Sequence, residues 1–193
     1  IVGFQGFTQW NKNKNDRETI LLPDAFINNE SLFGLMQHDL TDKLRLQAGF
    51  RYDWKSISTQ QVGESSLSDN FRSAIDRAYT SPSGSLGATW HVTEDWLIRS
   101  NLASAYRTPN LAELTSRGPH ELRFELGDAQ LKPEYAYEAD LSMHFHKTNF
   151  TLDIAGYYNY IQDFIFIAPT GTETEQGLPV YMYSQSNARL FGG

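Results

Sequence analysis

Two histidines stand two positions apart, at His144 and His146, in a segment that also carries Glu138 and Asp140. In an extended chain, side chains at i and i+2 point to the same face. The pair could therefore offer two imidazoles to one metal ion. A ligand set must also converge in space, and the alternative is a polar wall that holds no metal. The spacing leaves both interpretations open.

A second polar group lies in the segment Gly-Pro-His-Glu-Leu-Arg at residues 118–123. Its residue types, an imidazole, a carboxylate and a guanidinium, are suited to contacting a small polar solute or a metal chelate. Recognition is carried by loops more often than by the scaffold beneath them. We predict His120, Glu121 and Arg123, together with Arg107 at the start of the same loop, as candidate ligand contacts. The alternative is a solvated loop tip.

Motifs that mark catalytic sites are not found in this sequence. It contains no Gly-x-Ser-x-Gly, no His-Glu-x-x-His and no glycine-rich phosphate loop. Cysteine is absent, which excludes disulfide scaffolds and thiol catalysis. A net charge of −7 argues against a nucleic-acid surface, which needs clustered Lys and Arg. We therefore predict neither an enzyme nor a nucleic-acid partner nor a resident cofactor.

The elements that must position these residues are strands, because apolar and polar residues alternate with period two along most of the chain. In residues 44–55 every even position is apolar or aromatic, and every odd position is polar, charged or glycine. No run of about 18 apolar residues occurs, so a helical membrane span is not expected. The predicted strands, about eight in number, are 1–10, 32–40, 44–55, 79–91, 96–107, 134–146, 150–160 and 180–193.

Charged side chains concentrate on one face of the most regular strands. A soluble sandwich would have to bury that charge, whereas the water-filled lumen of a membrane barrel accommodates it. The opposite face is apolar throughout and suits contact with lipid. The residues predicted to line the lumen wall are Arg45, Arg51, Asp53, Arg99, Asn101, Glu138, Asp140, His144 and His146.

Strand length and loop length both favour a membrane barrel. Strands of about 11 to 14 residues are long for a globular sheet, whereas about eleven residues tilted near 40° span roughly 28 Å, close to the apolar band of an outer membrane. Short and long connections also alternate. The short ones are 40–43, 92–95 and 147–149, and the long ones are 11–31, 56–78, 108–133 and 168–179. We predict an all-β fold, an antiparallel up-and-down transmembrane β-barrel segment with its long loops outside.

Four segments of the chain carry recognisable motifs, at residues 46–53, 103–114, 125–134 and 157–165. In this order they resemble motifs of the TonB-dependent receptor family. Residues 103–114, ASAYRTPNLAEL, are similar to its Tyr/Phe-Arg-x-Pro-x-x-x-Glu-Leu stretch. Residues 125–134 resemble its Gly-Asn-x-x-Leu-x-Pro-Glu entry to a strand, with Asp128 where Asn is commoner. Residues 157–165 and 46–53 resemble its Tyr-x-Asn-x-Ile-x-Asp-x-Ile and apolar-Gly-x-Arg-Tyr-Asp strands.

The resemblance implies that residues 1–193 are part of a 22-stranded barrel domain of the kind that encloses a plug. Within its motif, Arg107, Pro109 and Glu113 are expected to shape the exit from strand to loop and to pair charges at the rim. Neither the family's plug nor its terminal aromatic strand is recognisable in the sequence. We therefore expect a C-terminal portion of the barrel, without its final strands.

The function implied by the resemblance is energy-coupled import of a scarce nutrient across the bacterial outer membrane. The imported solute would be an iron-siderophore, haem, cobalamin, a metal or a similar compound. The expected partners are that solute, outer-membrane lipid and the periplasmic TonB coupling protein, which would act through the plug. The alternative from another class is a complete eight-stranded barrel that serves as an adhesin or envelope anchor, since eight strands can close by themselves.

Overall fold

The structure is a computed structural model that describes residues 1–14, 19–64 and 70–193. Residues 15–18 and 65–69, which belong to two of the predicted long loops, lie outside the described residues.

Ten strands and one short helix follow each other in the part of the chain that the structure describes. They are β1 Val2–Asn11, β2 Ala25–Thr41, β3 Leu44–Thr59, β4 Asp76–His91, β5 Trp96–Arg107, α1 Leu111–Thr115, β6 Arg117–His120, β7 Arg123–Leu126, β8 Glu134–Lys147, β9 Phe150–Glu173 and β10 Pro179–Gly192. Among the described residues, no helix is long and apolar enough to cross a membrane. All eight predicted strands are present, and β6 and β7 are additional.

The strands form one open sheet in the order β1-β2-β3-β4-β5-β8-β9-β10-β7-β6. Every long strand pairs antiparallel with its neighbour, and the short strand β7 pairs parallel with β10. The predicted all-β, up-and-down antiparallel barrel segment is therefore confirmed.

The register keeps polar side chains on one face across successive strands. Asp53 lies opposite Ser31 on one side and Ser81 on the other, and Asn101 lies opposite Asp140. The opposite face exposes a broad set of large apolar side chains. They include Leu46, Phe50, Trp54, Leu86, Leu102, Leu141 and Ile154. Apolar surface on this scale is rare on soluble monomers and matches the lipid-facing band of an outer-membrane barrel.

The strands run further toward the long-loop end than the alternation predicts. The prediction of a long loop at residues 168–179 is wrong, because β9 continues to Glu173 and only residues 174–178 connect it to β10. β9 has 24 residues, which corresponds to about 80 Å of extended chain and far exceeds the apolar band. β-branched residues such as Thr170, Thr172 and Val180 favour strand in this hairpin.

β4 and β5 separate toward the long-loop end. Their pairing runs from His91 only as far as Gly84, which bonds to the Ser104 hydroxyl (Gly84 N to Ser104 Oγ, 3.1 Å). Pro82, just beyond, has no N–H to donate to a ladder. The separation leaves room for the chain that follows β5 to fold back over the polar face.

Candidate functional site

The segment after β5 folds onto the polar face of the sheet. Its helix α1 joins a hydrophobic cluster in which Ile57 is fully buried. The members of the cluster are Ala25, Ile27, Ile57, Leu111, Leu114, Leu131 and Ile165. Ile57 lies on β3 and Ile165 on β9, with β4, β5 and β8 between them in the sheet. The cluster around α1 therefore joins strands that do not pair with each other.

A capping box holds α1 in place. The Asn110 Oδ1 accepts a hydrogen bond from the Glu113 amide at 2.9 Å, and the Glu113 carboxylate accepts one from the Asn110 amide at 2.8 Å. A helix of five residues is too short to form by itself. It depends on this cap and on the buried Leu111 and Leu114.

Arg107 links three elements through an ion-pair network. Its Nε and Nη2 donate to the Glu134 carboxylate at 2.8 and 2.5 Å, and its Nη1 donates to Glu113 at 2.9 Å. Glu134 also accepts a hydrogen bond from the Ile165 amide at 2.6 Å. β5, α1 and β8 therefore meet at one guanidinium, and β9 joins them through Glu134. All three nitrogens of Arg107 face carboxylates, which agrees with the structural role that the motif predicts for it.

Beside this network lies a recess of about 540 Å³ between α1 and β1 to β5. Two predicted wall residues, Arg51 and Asp53, line it and form an ion pair of 2.9 Å. The Arg51 guanidinium also donates to the Ser31 hydroxyl at 2.6 Å. The Lys55 ammonium donates to the Thr108 hydroxyl at 2.6 Å across the recess. Hydrogen-bonding groups of both charges thus surround this space.

The hairpin β6–β7 brings together two of the predicted ligand contacts. The His120 Nδ1 lies 2.9 Å from the Glu125 carboxylate, and the Arg123 Nε donates to the same oxygen at 2.7 Å. Burial raises the pKa of Glu125, but the hydrogen bonds from His120 and Arg123 outweigh it and hold that pKa below its ordinary value. Glu121 stands at the turn with a φ of 54°, which is uncommon outside glycine.

Glu125 is the residue of this cluster that the sequence analysis missed. It is almost fully buried and organises the two basic side chains. The i, i+2 spacing of Arg123 and Glu125 would have indicated it, since such residues share a strand face.

The remaining wall residues also lie on the polar face. The Asn101 amide donates to the Asp140 carboxylate at 3.1 Å. Arg45 forms an exposed ion pair of 2.6 Å with Asp39 near the short turn 42–43. Arg99 lies on β5 in register with Ser142. The lining of a lumen by these residues stays a prediction.

The carboxylate beside the paired histidines is Asp153 of β9. The His144 Nδ1 and the His146 Nε2 lie 2.7 and 2.8 Å from its Oδ1. Glu138 and Asp140, which share this strand face with the two histidines, are instead held by amides of neighbouring strands, Glu138 by Asn159 at 2.8 Å and Asp140 by Asn101 at 3.1 Å. Antiparallel pairing sets His144 opposite Asp153 and leaves the other carboxylates further along β8.

Comparison with known proteins identifies the family. A family profile described as "TonB dependent receptor-like, beta-barrel" matches residues 2–192. The fold is similar to that of the copper transporter OprC, with a TM-score of 0.74 and 20% identity over 100% of this chain and 31% of that one. It is also similar to a double mutant of the Serratia marcescens hemophore receptor HasR, solved with its hemophore HasA and heme, with a TM-score of 0.79 and 14% identity.

The superposition on HasR covers 99% of this chain and 35% of that one. For the siderophore receptor PirA from Pseudomonas aeruginosa, the TM-score is 0.53 at 16% identity, over 88% of this chain and 39% of that one. The chain thus spans about a third of the length of these structures. Among curated proteins, no sequence matches it. The family and the similar structures are receptors and transporters, not enzymes. The chain belongs to the TonB-dependent receptor family, as part of its bacterial outer-membrane β-barrel.

Proposed function

We propose that this chain forms part of the wall of a receptor that imports a scarce nutrient by energy-coupled transport. The observation that carries the proposal is the match to the receptor barrel over residues 2–192, in a sheet whose two faces differ so sharply in polarity. The apolar face contacts outer-membrane lipid. The polar face lines the path of the solute.

The long-loop end faces outward in this proposal, because outer-membrane barrels have short periplasmic turns and longer outside loops. The hairpin β6–β7 and the recess beside α1 then meet the incoming solute. His120, Glu121 and Arg123 contact it from the hairpin. Arg107 acts through the position of α1, since its nitrogens are already bonded to carboxylates.

The solute class is a metal or a metal chelate, such as an iron-siderophore, haem or cobalamin. Support comes from the names of the proteins that share the fold, a copper transporter, a hemophore receptor with heme and a siderophore receptor. The periplasmic TonB protein supplies the energy through a plug domain, in line with the family.

The alternative of a closed eight-stranded adhesin or anchor has less support. In the described part of the chain the sheet is open, with β1 at one edge and β6 at the other. Nothing in the comparisons favours an adhesin.

Deletion of the whole receptor is expected to abolish uptake of one solute from a panel of labelled iron-siderophores, haem, cobalamin and copper salts. Disruption of the TonB protein should abolish the same uptake, because transport through a plugged barrel requires energy. Uptake is measured in cells at limiting solute, with the complemented strain as control. Undiminished uptake of every solute after deletion would contradict import, and uptake that survives loss of TonB would contradict energy coupling.

The same assay tests the hairpin. With the solute identified, His120→Ala in the complemented strain should raise the concentration needed for half-maximal uptake. Glu175→Ala, in the exposed β9–β10 turn at the same end of the sheet, is the matched control and should leave that concentration unchanged. Equal behaviour of the two variants would remove the hairpin from the binding site and leave the import proposal intact.

A further inference from the structure

At the short-turn end of the sheet, far from α1, three side chains of types that can bind a metal lie close together. His144 and His146 lie on β8, and Asp153 lies on β9, directly across the hairpin from His144. One ligand atom of each residue lies within 4.8 Å of the other two. Among the described residues, no other group of three or more His, Asp or Glu side chains meets this condition.

The distances between these atoms suit a bound cation after small movements. An ion about 2.0 to 2.2 Å from each ligand atom keeps neighbouring ligand atoms about 3.3 Å apart in tetrahedral geometry. The two nitrogens now lie 2.7 and 2.8 Å from the Asp153 Oδ1. The ion would fit if each nitrogen moved about half an ångström away from the Asp153 Oδ1 and the two imidazole nitrogens moved closer to each other. All three side chains are partly exposed, so rotation costs little packing.

A neighbouring hydroxyl orients one of the imidazoles. The Ser142 Oγ lies 3.0 Å from the His144 Nε2. Metal-bound histidines characteristically donate their second ring N–H to such a partner, which fixes the tautomer. When Nε2 carries the proton and donates to Ser142, the His144 Nδ1 offers its lone pair toward the Asp153 carboxylate, 2.7 Å away. A bound cation would then take the place of the proton that otherwise joins Nδ1 to Asp153.

We propose that His144, His146 and Asp153 form a binding site for a divalent transition-metal ion, on the polar face of the barrel near the β8–β9 turn. Imidazole ligands select Zn²⁺, Cu²⁺ or Ni²⁺ over Mg²⁺ and Ca²⁺, which take oxygen ligands. Three protein ligands leave positions open for water or for a ligand carried by the ion. The site is independent of the proposed import, because it requires only that the ion can reach this face.

The test uses the complete receptor, purified in detergent and stripped of metal with a chelator. Cu²⁺ is titrated by calorimetry, and the bound ion is recorded by electron paramagnetic resonance. We expect the wild type to bind one more equivalent of Cu²⁺ than His144→Ala/His146→Ala, with nitrogen hyperfine structure in the difference. Asp153→Asn should lower the affinity for that additional Cu²⁺ roughly tenfold or more, because the loss of a metal ligand lowers the affinity at least as much as the loss of a hydrogen bond that supports a ligand.

His91→Ala is the matched control, since His91 lies on the polar face at the same end but on β4. It should bind Cu²⁺ as the wild type does. Heat-modifiable migration in gels shows that each variant is folded, and Asp153→Asn keeps the test valid if the double variant does not fold. Equal stoichiometry and affinity in the wild type and in Asp153→Asn would overturn the proposal, leaving the cluster as hydrogen bonds alone.

Discussion

Replacing Arg107 with alanine is expected to destabilise the folded barrel by about 2 to 3 kcal/mol. The change leaves Glu113 and Glu134, which are 9% and 10% exposed, without their cation. Breaking a fully buried pair costs about 3 to 5 kcal/mol, largely because the remaining charge stays desolvated. The expected loss for Arg107→Ala is smaller than this because the Arg107 side chain is 43% exposed, so that solvent weakens its ion pairs. Loss of the network should also loosen α1, which Glu113 caps.

Urea unfolding of the receptor in lipid vesicles measures this loss of stability, with the heat-modifiable band as the signal for the folded barrel. Arg45→Ala is the matched control, because Arg45 forms an exposed ion pair on the same face and such pairs contribute little. Adding Glu113→Gln and Glu134→Gln to Arg107→Ala should recover part of the stability by removing the unpaired charges. An unchanged midpoint for Arg107→Ala would show that the network does not support the fold.

Arginine at Leu102 should destabilise the barrel by about 2 to 4 kcal/mol, the cost of a charge on the lipid face near the membrane midplane. Leu102 is 61% exposed on the apolar face in the middle of β5. Arginine at the adjacent Asn101 should cost little, because that side chain lies on the polar face and contacts Asp140. The two variants add the same side chain one residue apart, so they differ only in the face that carries it.

Unfolding of both variants in vesicles of the same lipid gives the comparison. A large shift for Leu102→Arg with a small one for Asn101→Arg is the expected result. Similar midpoints for the two would contradict the assignment of the apolar face to lipid.

The strands and their faces could be predicted from the sequence because one local rule, period two, governs them. It holds over residues 44–55, where the pattern reflects lipid on one side and polar groups on the other. The alternation does not show where a strand ends beyond the apolar band. In that region, whether a segment forms a strand or a loop depends on whether a partner strand is present to pair with it. Residues 168–179 are the example, because most of them pair in the β9–β10 hairpin and were predicted as a loop.

The candidate site was only partly predictable. The turn 148–149 pairs Lys147 with Phe150, so counting back along the hairpin would have set Asp153 opposite His144. The capping box of Asn110 and Glu113 could also have been recognised from the spacing of the two residues in the sequence. The hydrophobic cluster at α1 could not be predicted, because its members, such as Ile57 and Ile165, are distant in sequence and lie on strands that do not pair with each other.

The central claim is that this sheet crosses the outer membrane with its apolar face toward lipid and its polar face toward water. This chain contains no cysteine, so single cysteines can be introduced along β5 at Ile98, Arg99, Asn101 and Leu102, in a receptor from which any cysteine elsewhere has been removed, and studied in lipid vesicles. A small charged thiol reagent should modify the cysteines at 99 and 101 rapidly and those at 98 and 102 slowly. Equal labelling at all four positions, or the reverse pattern, would contradict the account.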